Sequence, residues 1–159
     1  MKQIDCEQLV QDNRQICLRM ERLANRFMEA EGLTAVQGHL LLYILSKGDS
    51  GTSLTAIHRE FGYSKATLSN MLKRLREKGY VRVASCAGDD RLKLLFATEK
   101  GEQVRAFLET AIRDVQQQVY GCFSEQELST LDRLQKKLLQ NLCVSAEKNI
   151  RNQKEESDL

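Results

Sequence analysis

The chain has 159 residues, 42% hydrophobic and 29% charged, a balance that fits a globular domain and excludes a disordered chain. Its 24 Lys and Arg against 22 Asp and Glu leave a formal charge of +2, which alone points to no partner. The longest apolar run, Leu40 to Leu45, is far too short to span a bilayer. An acid at Asp5 precedes any stretch of signal-peptide length, so a soluble cytoplasmic protein without membrane contact is expected.

The absence of proline favours long, uninterrupted helices. In the first thirty residues Leu9, Ile16, Met20, Leu23 and Phe27 recur at helical steps, and Gly32 ends that helix. Thr34-Ala35-Val36-Gln37 is a capping box that opens a second helix, whose apolar stretch Leu40 to Leu45 predicts burial on most sides. After the loop Gly48-Asp49-Ser50-Gly51 comes a short helix with Leu54, Ile57, His58 and Phe61 on one face. Gly62-Tyr63 makes a tight turn, and Ser64 caps a helix running to about Lys78. There Leu68, Met71, Leu72 and Leu75 share one face, with Ala66, Asn70 and Lys73 opposite. Gly79 ends this helix. The period then changes to strand-like at Tyr80–Ser85 and Lys93–Thr98, with a charged tip Ala87-Gly88-Asp89-Asp90-Arg91 between. A helix from Thr98 carries Val104, Leu108, Ala111, Val115 and Val119. Another, capped by Ser124-Glu125-Gln126-Glu127, carries Leu128, Leu131, Leu134, Leu138 and Leu142, and the last ten residues read as a frayed polar tail.

Five cysteines form no C-x-x-C pair, and only His39 and His58 accompany them, so neither a metal site nor another cofactor site is expected. No nucleophile elbow, phosphate loop or dinucleotide fingerprint occurs, and a cysteine enzyme would need a histidine in reach of a thiol. A non-enzymatic protein is expected.

Charge is unevenly spread. Between Ser64 and Lys93 stand the eight bases Lys65, Lys73, Arg74, Arg76, Lys78, Arg82, Arg91 and Lys93, against Glu77, Asp89 and Asp90. That strip has a surplus of five positive charges while the remainder is net acidic, the electrostatic footprint of a phosphate-backbone binder. Helix, Gly-containing turn and helix fit a helix-turn-helix motif. The exposed side of its second helix offers Ser64, Lys65, Thr67, Ser69, Asn70, Lys73 and Arg74: hydroxyls and an amide for base edges, cations for phosphates. The hairpin after it brings Asp89, Arg91 and Lys93. An Arg on a thin ribbon can enter the minor groove, and an Asp two residues earlier can hold its guanidinium. The fold class is therefore mainly α (α+β): a winged helix-turn-helix over 33–98 with a β-hairpin wing. Long helices at 1–32 and 99–148 serve dimerisation, before a polar tail at 149–159. A winged helix that binds protein instead would present an apolar or acidic face where Asn70, Lys73 and Arg74 stand.

Gly32-Leu33-Thr34 with Gln37, Ser64 to Ser69, Leu75 with Lys78-Gly79-Tyr80-Val81, and Asp89-Asp90-Arg91 followed by Ala97-Thr98-Glu99-Lys100-Gly101 resemble the MarR family of multiple-antibiotic-resistance-type regulators over residues 15–145. The resemblance implies an obligate homodimer with interlocking terminal helices. It would bind pseudo-palindromic double-stranded operators and usually repress, with Asp89 and Arg91 as the wing pair. Val36 and Gly38 stand where the family often has proline and an aromatic residue. Dimerisation also follows from the apolar stripes of the terminal helices, which one small chain cannot cover alone.

The resemblance further implies a small phenolic or aromatic ligand between the dimerisation and DNA-binding lobes. Met20, Phe27, His39 and Tyr43 are the candidate lining residues, with Gly38 leaving room beside His39. The alternative switch is thiol oxidation at Cys17, Cys86 or Cys122. Cys17 lies on the apolar side of its helix, where burial is expected to make it inert, and Cys86 beside the wing is the more exposed candidate.

Overall fold

The first helix, α1 (Cys6–Met28), begins where the Asp5 carboxylate accepts the N–H groups of Glu7 and Gln8 at 2.9 and 3.4 Å. The computed structural model describes the backbone of residues 5–86 and 89–157, and the side chains of 5–85 and 93–143. A single 3₁₀ turn, Glu29–Glu31, follows α1 and closes at Gly32 in the left-handed region. The expected box at Thr34 opens α2 (Ala35–Ser46): the Gln37 N–H donates to Thr34 Oγ1 at 3.3 Å, and the Thr34 N–H to Gln37 Oε1 at 3.1 Å. Asn25 of α1 accepts the Ala35 N–H at 2.7 Å, so the two helices are tied at their junction.

Helix α2 is apolar nearly all round and is the axis of the core. Leu40, Leu41 and Ile44 are fully buried with Met28, Ile57, Leu68, Leu75 and Leu108. Those side chains come from α1, α2, α3 (Leu54–Phe61), α4 (Lys65–Glu77) and α6 (Arg105–Tyr120), so one cluster fixes all five helices. Strands β1 (Val81–Cys86) and β2 (Asp89–Ala97) form an antiparallel hairpin in which Val81 faces Ala97 and Val83 faces Leu95. Regular β2 backbone starts at Asp89, earlier than the charged tip suggests. Thr52 adds an isolated bridge to Leu95, through reciprocal N–H···O bonds of 3.0 and 2.7 Å.

The single helix expected from Thr98 is two: α5 (Glu99–Gln103) and α6, broken at Val104. The break has a tertiary cause. Gly101 sits against the Tyr80 carbonyl so closely that a Cβ would stand 2.5 Å from that oxygen, while Val104, Leu108 and Ala111 must still reach the core. One continuous helix cannot meet both phases.

Helix α7 (Glu125–Ser157) opens with the expected box: Glu127 accepts the Ser124 N–H at 2.9 Å, and the Glu127 N–H donates to Ser124 Oγ at 3.3 Å. Its backbone stays helical through the polar stretch expected to fray. The chain divides into two compact units, Met1–Gln118 and Val119–Leu159. Among the described residues no helix is long and apolar enough to cross a membrane.

The turn between α4 and β1 is bound to its neighbours by part-buried and exposed polar contacts. Tyr80, 3% exposed, donates its hydroxyl to Glu31, at 3.1 Å to Oε2 and 3.3 Å to the backbone oxygen. Lys78 Nζ donates to the Gly32 carbonyl, and Lys100 Nζ donates to the Lys78 carbonyl at 2.7 Å while lying over the Tyr80 ring. Burial, then the hydrogen bond to Glu31 and its charge, hold the Tyr80 phenol above the usual tyrosine range. A raised folded value means this contribution to stability is complete below the ordinary tyrosine range. It is lost as pH climbs through the higher folded value. Tyr80→Phe, which keeps the ring and loses the hydroxyl, is expected to cost about 1 kcal/mol near neutrality. Urea unfolding of both proteins between neutral and alkaline pH reads the effect, and the gap between them should close at the alkaline end.

Candidate nucleic-acid interface

The helix-turn-helix is built by local polar contacts around one glycine. Ser53 caps α3 by accepting the Ala56 N–H at 3.1 Å. Gly62 ends α3 at φ +71°, a conformation that costs a glycine little, and its N–H donates to the His58 carbonyl at 3.0 Å. His58 Nδ1–H donates to the Tyr63 carbonyl at 2.6 Å, so the half-buried imidazole clamps the turn from the inside. The sequence pattern marks His58 only as a packed residue. A histidine five positions before an acceptor across Gly62 is the signal that foretells the clamp.

Ser64 then caps α4 by accepting the Thr67 N–H at 3.1 Å, and the two hydroxyls lie 2.8 Å apart. Leu68, Leu72 and Leu75 are buried and Met71 half-buried, whereas Lys65, Ala66, Ser69, Asn70, Lys73 and Arg74 are exposed. At about 100° per residue the exposed set covers one continuous side of the helix. Of the seven candidates read from the sequence, Lys65, Ser69, Asn70, Lys73 and Arg74 thus share an open face. Ser64 is exposed but engaged in the cap, and Thr67 is half-buried beside it.

The N-terminus of α4 is electropositive. The first turn of α4, like those of α2, α3 and α6, contains no acid to answer the positive end of the helix dipole, and it begins with Lys65. Its N-terminus is therefore doubly positive, an arrangement that suits an anionic partner. Lys73 lies 3.8 Å from Glu77, but both side chains are well over half exposed, so the pair restrains Lys73 weakly. Tyr63, which the sequence marks only as a turn residue, is 39% exposed just before the α4 cap. Lys93 is exposed on β2, opposite Ser85. The side chains of Asp89 and Arg91, like that of Cys86, lie outside the described residues, as does the tip Ala87-Gly88.

The ligand candidates do not gather in one place. Phe27 lines a shallow depression of about 290 Å³ with Leu23, Arg26 and Gln118. Tyr43 packs edge-on against Phe61 at 5.5 Å, under the Lys47 ammonium, and so joins α2 to α3. Met20 is half-buried; His39 is exposed and donates Nδ1–H to the Ala35 carbonyl at 2.7 Å. The room expected beside His39 is absent: Gly38 is buried, and a Cβ there would meet Met28 Cε at 3.0 Å and Leu108 Cδ2 at 3.3 Å. Gly38 serves close packing of α1 on α2. Cys17, expected to be buried, is exposed in the single chain, as are Cys6, Cys122 and Cys143. Among the described residues no cluster of three or more His, Cys, Asp or Glu could hold a metal.

A buried-faced helix after a tight glycine turn, followed by a two-stranded hairpin, defines a winged helix-turn-helix protein. The model of the MarR family matches residues 31–92. Solved structures share this fold over most of their length. The S. aureus MepR–DNA complex is 23% identical with a TM-score of 0.78, covering 87% of this chain and 99% of the other. A mutant MarR from E. coli complexed with operator DNA is also 23% identical, with a TM-score of 0.75 over 82% and 93% of the two chains. A MarR transcriptional regulator from Methanosarcina mazei Go1 is 16% identical, with a TM-score of 0.73 over 87% and 99%.

Proposed function

We propose that the protein is a sequence-specific DNA-binding regulator of transcription, acting in the cytoplasm as a homodimer on a pseudo-palindromic operator, and that it is a repressor rather than an enzyme. The observation that carries this reading is the open face of α4, where Ser69 and Asn70 stand among Lys65, Lys73 and Arg74 with no acid in the first turn. Two proteins of the same fold, MepR and MarR, have been crystallised with DNA. In this reading α4 enters the major groove and the wing residues Asp89, Arg91 and Lys93 reach the neighbouring minor groove. The homodimer is supported by apolar side chains left open on each unit: Leu9, Val10 and Ile16 on α1, and Leu138, Leu139 and Leu142 on α7.

The test is a fluorescence-anisotropy titration against a duplex enriched from a random-sequence pool and against its scrambled counterpart. Asn70→Ala should lose about 1–3 kcal/mol of discrimination between the two, because a bidentate amide–base pair is worth about that much. Arg91→Ala should weaken both and flatten the dependence on salt by about one unit. Wild-type selectivity and salt dependence in both variants would sink the assignment.

Release by a small aromatic or phenolic acid is the proposed switch, since the depression beside Phe27 pairs an aromatic ring with the Arg26 cation. Thiol oxidation is a second reading, favoured by the exposure of Cys17 and Cys122. Dissociation from DNA by aromatic acids, lost in Arg26→Ala, supports the first reading; dissociation by peroxide, lost in Cys17→Ser or Cys122→Ser, supports the second.

A further inference from the structure

The basic strip contains two arginines that the reading above leaves unused. Arg76 in the last turn of α4 and Arg82 on β1 face a common groove of about 620 Å³, lined also by Lys73, Glu77, Val81 and Val83. Both arginines are exposed. Other cations nearby are committed within the fold: Lys78 to the Gly32 carbonyl, Lys100 to the Lys78 carbonyl, and Arg105 to Glu102 at 2.5 and 2.9 Å. Among the described residues, Arg76 and Arg82 have no acid within ion-pair distance, and Lys73 has only the exposed Glu77. Arg82 is not loose, however. Its guanidinium lies over the Phe96 ring at 4.5 Å, a cation–π contact that holds it at the groove's edge before any partner arrives.

The position of this groove decides what it fits. The major and minor grooves of a duplex are separated by one sugar–phosphate strand. A protein with a helix in one groove and a β-ribbon in the next must straddle that strand. The crevice between helix and ribbon then faces its phosphates, and here the crevice is lined by three cations and one carboxylate. We propose that Arg76 and Arg82, with Lys73, form a phosphate seat that clamps the DNA strand passing between α4 and the wing, and that Glu77 moderates its strength. The proposal rests on the DNA-binding reading and adds to it a sequence-independent contact between its two reading heads. Planar guanidinium forks suit phosphate oxygens, and Arg82 arrives pre-oriented by Phe96.

Anisotropy titrations over a range of NaCl concentrations test it, with wild type, Arg76→Gln, Arg82→Gln, the double variant and Glu77→Gln, on the selected duplex and its scrambled counterpart. All three positions are exposed, so unchanged ellipticity and melting are expected and serve as the folding control. Each arginine variant should weaken both duplexes several-fold and to the same degree, lowering the salt slope by about 1, with the double variant lower by about 2. Glu77→Gln should tighten both. Wild-type affinity and slope in the double variant would overturn the seat while leaving the regulator reading intact. A loss confined to the selected duplex would overturn it in favour of base contact. Displacement of wild-type complex by inorganic phosphate beyond that by NaCl of equal ionic strength, absent in the double variant, would support the seat. Failure of wild type to bind any duplex would remove the DNA-binding reading itself.

Discussion

Gly101→Ala is expected to destabilise the protein by about 2–3 kcal/mol, a fall in melting temperature of about 4–10 °C for a chain of this size. Alanine normally favours a helix over glycine by about 1 kcal/mol, so propensity alone predicts the opposite sign. The contact decides otherwise. A Cβ on Gly101 stands 2.5 Å from the Tyr80 carbonyl oxygen, 3.4 Å from Leu41 Cδ1 and 3.5 Å from Ala97 Cβ. The carbonyl cannot swing aside cheaply, because it also accepts the Thr98 N–H at 3.0 Å, and Tyr80 is held by Glu31. Either the α5 turn lifts off the hairpin or that hydrogen bond breaks. Gly48→Ala is the control: Gly48 has φ +51° but nothing within 4 Å of a Cβ, so only the backbone cost of about 1 kcal/mol applies. Thermal melts of the three proteins at one protomer concentration compare them. Equal small losses in both variants would show that the contact is unimportant.

The second large effect concerns assembly. Along α7 the described leucines Leu128, Leu134, Leu138, Leu139 and Leu142 are 36–67% exposed, and only Leu131 is half-buried. Solvent is an unfavourable environment for so many aligned leucines, and a second copy of the chain is the proposed cover. Replacing Leu138 and Leu142 with Glu removes four leucines per dimer, at roughly 1.5–3 kcal/mol each, and introduces four carboxylates into the seam. At about 1.4 kcal/mol per tenfold, the dimer constant should rise by several orders of magnitude. Light scattering on the eluted protein should then give a mass near 18.2 kDa instead of about twice that, with helical ellipticity retained. DNA affinity should fall in parallel, because two half-sites are then bound independently. A wild-type protein that is already monomeric, or a variant that stays dimeric, would contradict the assignment of this face.

Much of this was legible in the sequence because it is locally encoded. The caps at Thr34, Ser64 and Ser124 are three-residue hydrogen-bond patterns, and each is present where the residues predict it. The burial of α2 and the two faces of α4 follow from apolar spacing alone. What escaped the sequence was set by partners far along the chain. The break at Val104 answers the approach of Gly101 to Tyr80, and Thr52 pairs with Leu95 across more than forty residues. Gly38 read as spare room because nothing local shows that Met28 fills it. Cys17 is exposed because the single chain leaves the apolar stripe of its helix uncovered. The phosphate groove needed the register of β1 against α4 before Arg76 and Arg82 could be seen as neighbours.

The most direct test of the central claim is selection of duplexes from a random-sequence pool by the wild-type protein, followed by titration of the enriched site. The account predicts an inverted repeat with half-sites about 10–10.5 bp apart, bound by two protomers with an affinity that falls steeply as salt rises. A pool that stays random after selection, or duplex binding with no preference for the enriched site over a scrambled one, would contradict it.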